Sequence, residues 1–213
     1  MNRNKVFALG LGILFFLIGF ANSLCAKDIP TKLRFRYCGS SVFALPTGYC
    51  KYSVGYINDN TNPYFFASQN LGNLLEVSVL KPLDGDNKNK SIFNGKLALF
   101  SEGMGLPAIS LGIADVNAQT GNDRIFFVAA SKNIDVFGFT AHAGMYRDPI
   151  SKDKIAFYGA EKIVFPLLSI AAERVDDVNT YGIRISPYPG VSLDIAQRDG
   201  KEEIFNLIYS RSY

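Results

Sequence analysis

The chain has 213 residues and a net charge of +3; 48% of its side chains are hydrophobic and only 19% charged, with 17 Phe, 11 Tyr and no Trp. That is the length of one domain, with apolar side chains enough for a core or a lipid-facing belt. Arg3 and Lys5 supply two of the excess cations. The chain beyond the leader described below is therefore close to neutral, and with no Lys/Arg run longer than two it carries no nucleic-acid footprint.

The N-terminus has the pattern of an export leader. Met1–Lys5 is basic, Val6–Phe20 is a continuous apolar run, and Ala21–Ala26 is a small-residue cleavage region. Residues 1–26 are expected to be a cleaved secretory signal peptide, the run being short for a spanning helix and followed by no stop-transfer segment. Two alternatives stand beside it: a lipidated Cys25, against which Leu24 occupies a position that needs a small side chain, and an uncleaved anchor. Cleavage after Ala26 leaves Cys38 and Cys50 as the remaining cysteines, expected to form a disulfide in an oxidising compartment. Free thiols and a metal site are the other readings, and a single histidine in the chain weakens the second. The pair would tie residues 27–47, an N-terminal periplasmic segment of mixed character, to the first strand.

From residue 48 onward the chain alternates with a period of two, which puts successive side chains on opposite faces of a sheet. Twelve strands are predicted: Tyr49–Ile57, Pro63–Gln69, Leu74–Leu80, Ser91–Ser101, Leu106–Ala114, Arg124–Ser131, Ile134–Tyr146, Lys154–Glu161, Phe165–Arg174, Asn179–Ile185, Val191–Arg198 and Glu202–Tyr213. Long polar connections fall near Asn58–Asn62, Pro82–Lys90, Asp115–Asn122 and Arg147–Asp153, and short ones near Gly72, Gly103, Lys132, Lys162 and Pro189. No helical period of similar length competes.

The stretch Leu106–Tyr146 shows what kind of sheet this is. Ile109, Leu111 and Ile113 oppose Ala108, Ser110 and Gly112; Phe139, Ala141, Ala143 and Met145 oppose Thr140, His142 and Gly144. The small and polar face is as continuous as the apolar one. A soluble sandwich turns grease inward, whereas a membrane barrel turns it outward and keeps small or polar groups inside. The expected fold is all-β: an antiparallel up-and-down transmembrane barrel over residues 48–213, in the outer membrane of a Gram-negative-type bacterium, with both termini on the periplasmic side. Phe205, Leu207, Tyr209 and the terminal Tyr213 form the expected assembly signal of the last strand. Outer-membrane lipid and the assembly machinery are the partners this implies. The alternative is a soluble periplasmic β-protein that binds a lipid or a protein.

Three segments in order, GLPAISLGIADV, NDRIFFVAASK and DVFGFTAHAGMY, resemble the YjbH-like outer-membrane proteins, a bacterial family linked to exopolysaccharide operons. Upstream, ALPTGYCKYSVGY resembles the family's opening strand and LGNLLEVSVL its following hairpin, so the similarity runs over roughly Ala44–Tyr213. The resemblance implies a barrel connected with envelope or exopolysaccharide export, structural or a narrow conduit, with polysaccharide as a further partner. It supplies no catalytic residues.

Candidate chemistry is thin. His142 is the lone histidine, placed on the small-residue face near the external end of its strand, and no motif sets a Ser within reach of it as a nucleophile needs. Gly103, Gly105 and Gly112 lack the helix that a phosphate cradle requires. Asp84, Asp86, Asn87 and Asn89 lack the bidentate Glu of a calcium loop. No enzyme activity, metal or cofactor is expected. The inward face instead offers charges, Lys51, Glu76, Lys96, His142, Arg184 and Asp194. Glu76 with Lys96 and Arg184 with Asp194 sit on adjacent strands, where opposite charges pair. They would either line a narrow pore or bridge a filled interior.

Overall fold

Alternation of this kind leaves each strand with two usable faces, and a sheet edge in hydrocarbon would strand unpaired N–H and C=O groups at several kcal/mol each. The computed structural model meets both demands. It describes residues 51–58, 63–72, 74–85, 87–103, 105–120, 124–134, 136–148 and 150–212. They form one closed antiparallel barrel of twelve strands: β1 Lys51–Asn58, β2 Tyr64–Leu71, β3 Leu75–Pro82, β4 Ile92–Phe100, β5 Ala108–Ala114, β6 Ile125–Ile134, β7 Phe139–Arg147, β8 Lys154–Phe165, β9 Leu168–Val175, β10 Val178–Tyr188, β11 Val191–Arg198 and β12 Glu202–Ser212. Each strand pairs with its sequence neighbours, and β12 closes on β1 through Val54 opposite Tyr209 and Tyr56 opposite Leu207. The expected signal peptide, residues 27–47, Cys38, Cys50, Tyr213 and the side chain of Lys51 lie outside the described residues.

Both described ends of the barrel lie with the connections 72–74, 101–107, 135–138, 166–167 and 189–190, here called the turn end. The other six connections form the loop end. The turn Pro189–Gly190 shows why such links are tight: proline presets the first corner and Gly190, at φ 83°, takes the left-handed second one. The expected alternation of long and short connections holds through the β8–β9 turn and fails after it. Links 176–177 and 199–201 at the loop end are as tight as any turn, because Asp176, Asp199 and Gly200 adopt left-handed φ of 53°, 52° and 68°. Two turns are also displaced. Lys132 lies inside β6 and Lys162 inside β8; the chain reverses instead at 135–138 and 166–167.

The outer wall carries the exposed apolar side chains: Val54, Phe65, Phe93, Leu97, Leu111, Phe126, Met145, Tyr158, Ile183, Ile195, Phe205, Leu207 and Tyr209 among them. At the turn end this belt runs out onto the turns themselves, with Leu106, Val136, Phe137 and Leu167 exposed. Nineteen buried polar or charged residues stand among the described residues, most of them on the opposite, inward face. The protein is therefore inside-out relative to a soluble sandwich.

The interior is less uniformly polar than the sequence suggests. It holds two apolar clusters, mostly toward the loop end, the second reaching Ala108 at the turn-end start of β5. One joins Ile57, Phe66, Ala196, Ile204 and Ile208, with Tyr64 and Leu80 against it. The other joins Ala108, Phe127, Ala129 and Phe157, with Tyr146 and Val175. Three of these rings lie over glycines on the paired strand: Phe66 over Gly55, Phe127 over Gly112 and Phe157 over Gly144. A Cβ at Gly112 or Gly144 would overlap the ring, so each pair stacks a flat side chain on bare backbone.

Candidate functional site

The turn half of the lumen holds most of the buried polar residues, and their positions follow from register. Glu76 on β3 stands directly opposite Lys96 on β4, and the ammonium lies 2.9 Å from Glu76 Oε2 with both side chains buried. Arg184 on β10 stands opposite Asp194 on β11. Its Nε and Nη2 donate to the two carboxylate oxygens at 2.5 and 2.6 Å, a two-pronged fit of guanidinium to carboxylate. Asn206, next in the same row on β12, donates from Nδ2 to Asp194 Oδ2 at 3.3 Å. Exposure decides the character of this group: 3% for Arg184 and none for Asp194 and Asn206. Nearer the loop end, Arg198 Nη1 lies 3.3 Å from Glu202 Oε2.

His142 lies on β7 nearer the turn end, not the external end that the sequence suggested. It stands opposite Ser131 of β6. Its Nδ1 lies 2.9 Å from Ser131 Oγ, and its Nε2 lies 3.8 Å from Glu161 Oε1 of β8. Hydroxyl, imidazole and carboxylate thus follow one another as in a nucleophilic relay, an arrangement the sequence reading missed because it closed the β6–β7 turn at Lys132. Placing the turn at 135–138 puts 131 against 142. All three side chains are buried, at 1%, 4% and 7% exposure, so the hydroxyl faces packed side chains and not a cleft.

Both mouths of the lumen are tied by polar links. At the turn end Glu102 accepts from the Asn133 backbone N–H at 2.9 Å and its Nδ2 at 2.6 Å, and Thr140 Oγ1 donates to Asn133 Oδ1 at 2.7 Å. Lys132, on the outer side of β6, reaches Glu102 at 3.4 Å and the Gly103 carbonyl. At the loop end Asp115, at φ 53°, organises the start of the β5–β6 loop. Its carboxylate accepts from Gln119 N, Thr120 N and Thr120 Oγ1 at 2.8, 2.9 and 2.6 Å. Burial pushes that carboxyl up, but the Thr120 hydroxyl, the two amides and Lys90 together outweigh it and hold it below the usual carboxylate value. Asp148 is held low by the Ser151 and Ile150 amides. Asp84 caps the Gly85 amide and Asn87 accepts from Lys90, and no cluster of three or more metal-binding side chains occurs among the described residues.

A closed twelve-strand wall, apolar outside and paired in charge inside, defines an outer-membrane β-barrel. No protein-family model and no curated protein matches the sequence. Solved structures do match in fold. The KdgM porin, solved in complex with disordered oligogalacturonate, aligns with a TM-score of 0.53 at 8% identity over 76% of this chain and 99% of its own. The outer-membrane protein Omp33 of Acinetobacter baumannii aligns at 0.43 and 11% identity, over 76% and 96% of the two chains. The COG4313 outer-membrane channel of Pseudomonas putida F1 aligns at 0.39 and 13%, over 85% and 100%. The chain shares the porin barrel fold.

Proposed function

We propose that this outer-membrane barrel is non-enzymatic and shut: a structural member of an envelope assembly connected with exopolysaccharide export, not an open diffusion pore. The observation that carries the reading is the buried Arg184–Asp194–Asn206 row beside the Phe-on-Gly clusters. A twelve-strand barrel has room for water, and these buried side chains support a filled interior instead. Inward cations are matched by acids, Lys96 by Glu76, Arg184 by Asp194 and Arg198 by Glu202, so the described lumen offers no cationic track for an acidic saccharide. The Ser131–His142–Glu161 series lacks a substrate cleft, which supports a packing role. The link to exopolysaccharide comes from the resemblance to YjbH-like proteins; assembly machinery and polysaccharide are partners on the same footing. Planar-bilayer recording in high salt tests the central part. The purified barrel should give no sustained unitary conductance, and stable open steps from the unmodified protein would overturn it.

A further inference from the structure

Outside the lumen, the wall over β7–β12 is not evenly covered. Two outward rows run obliquely across it, Phe139, Lys162, Ile170, Ile183 and Ile195 in one, Ala160, Ala172, Tyr181, Gln197 and Glu203 in the other. Between them lies a groove of about 850 Å³ whose floor is the backbone around Ala171, Gly182 and Ala196. It is shallow, and lowest beside Ala160 and Ala172, whose side chains stop at a methyl. It is open to the bilayer, and its course over five strand spacings is about 24 Å long. Lys162 stands at its turn end, exposed within the apolar belt, with Phe165 and Leu167 beyond it at the turn itself. Lys132, another outward cation at this level, is met by Glu102. Lys162 has no acidic partner among the described residues.

We infer that this groove is a binding site for one glycerophospholipid of the periplasmic leaflet, its phosphate on the Lys162 ammonium and one acyl chain laid between Ile170, Ile183 and Tyr181. A cation inside the belt is costly unless it reaches an anion at the headgroup level, and a lysine stem is long enough to do so. The groove supplies an open, mostly apolar bed along the wall, running away from that cation. Charge and shape thus select the same end of the same molecule.

Native mass spectrometry of the folded barrel, titrated with phosphatidylglycerol or with monogalactosyl diacylglycerol of identical chains, tests this. The unmodified protein should retain one phosphatidylglycerol and prefer it to the phosphate-free lipid by about fivefold, the worth of roughly one headgroup-level cation. Lys162→Met should erase that preference. Ala172→Phe should lower retention of both lipids, while Leu111→Phe on the far wall should leave both unchanged. Equal retention of the two lipids by the unmodified protein would overturn the site. So would undiminished phosphatidylglycerol retention by Lys162→Met, or a dimer that is lost in Ala172→Phe. Compact migration of each unheated variant on a detergent gel establishes that it has folded.

Discussion

Asp194→Ala removes the two-pronged carboxylate from the Arg184 guanidinium, a side chain only 3% exposed. Removing one partner of a buried pair costs about 3–5 kcal/mol, most of it the penalty of an uncompensated charge. Replacing both partners, as in Arg184→Met with Asp194→Leu, substitutes apolar packing for the pair and is often neutral or stabilising. Here Asn206 loses its acceptor, which returns a cost of about 1 kcal/mol. The double variant should therefore unfold within roughly 1–2 kcal/mol of the unmodified barrel, and each single variant well below it. With no Trp in the chain, urea unfolding in vesicles is best followed by the gel shift between compact and unfolded forms. An Asp194→Ala variant within about 1 kcal/mol of the parent would refute the reasoning, because the two-pronged pair would then contribute little to holding the buried Arg184.

Phe157→Ala should cost about 3–5 kcal/mol by leaving a cavity over Gly144, and Gly144→Ala about 1–3 kcal/mol by driving a methyl into the same ring; unfolding midpoints check both. Ile183→Arg on the outer wall should cost about 2–4 kcal/mol near the bilayer centre. Ser192→Arg should be no milder, since Ser192 is buried on the inward face; equal stability to the parent in either variant contradicts the assigned faces. Asp115 has a folded pKa below its ordinary 3.8, so its contribution is present above that value and lost as pH falls through the lower folded one. Corrected amide-exchange protection at Gln119 and Thr120 should fall in that acid range, and Asp115→Asn should remove the dependence.

Strand number and faces were legible because a membrane barrel writes its two environments onto alternate residues. Val191–Arg198 has the same bounds in sequence and structure, and the partners Glu76–Lys96 and Arg184–Asp194 were visible as opposite charges on adjacent strands. Polarity failed as a turn signal where the lumen is itself polar. Ser131–Lys132–Asn133 looked like a reversal, yet Ser131 and Asn133 face inward and Lys132 is held outside by Glu102. The true turn carries exposed Val136 and Phe137, which a lipid boundary tolerates and water would not. Missing that turn hid the Ser131–His142 pairing. The inward rings of Phe127 and Phe157 were illegible for another reason: each makes sense only beside its glycine, and the register that brings them together is a property of the folded sheet.

Closure of β12 on β1 within a membrane is the claim on which the rest depends. Ser53 and Ser210 face each other across that seam, their hydroxyls 2.8 Å apart. The most direct measurement is disulfide formation between Ser53→Cys and Ser210→Cys, with Cys25, Cys38 and Cys50 replaced by serine, in cell fractions. The pair should crosslink within one chain, in protein that needs detergent for release and migrates compactly until boiled. Protein that is released without detergent, or that folds in the membrane with both thiols free to alkylating reagent, would contradict a closed outer-membrane barrel.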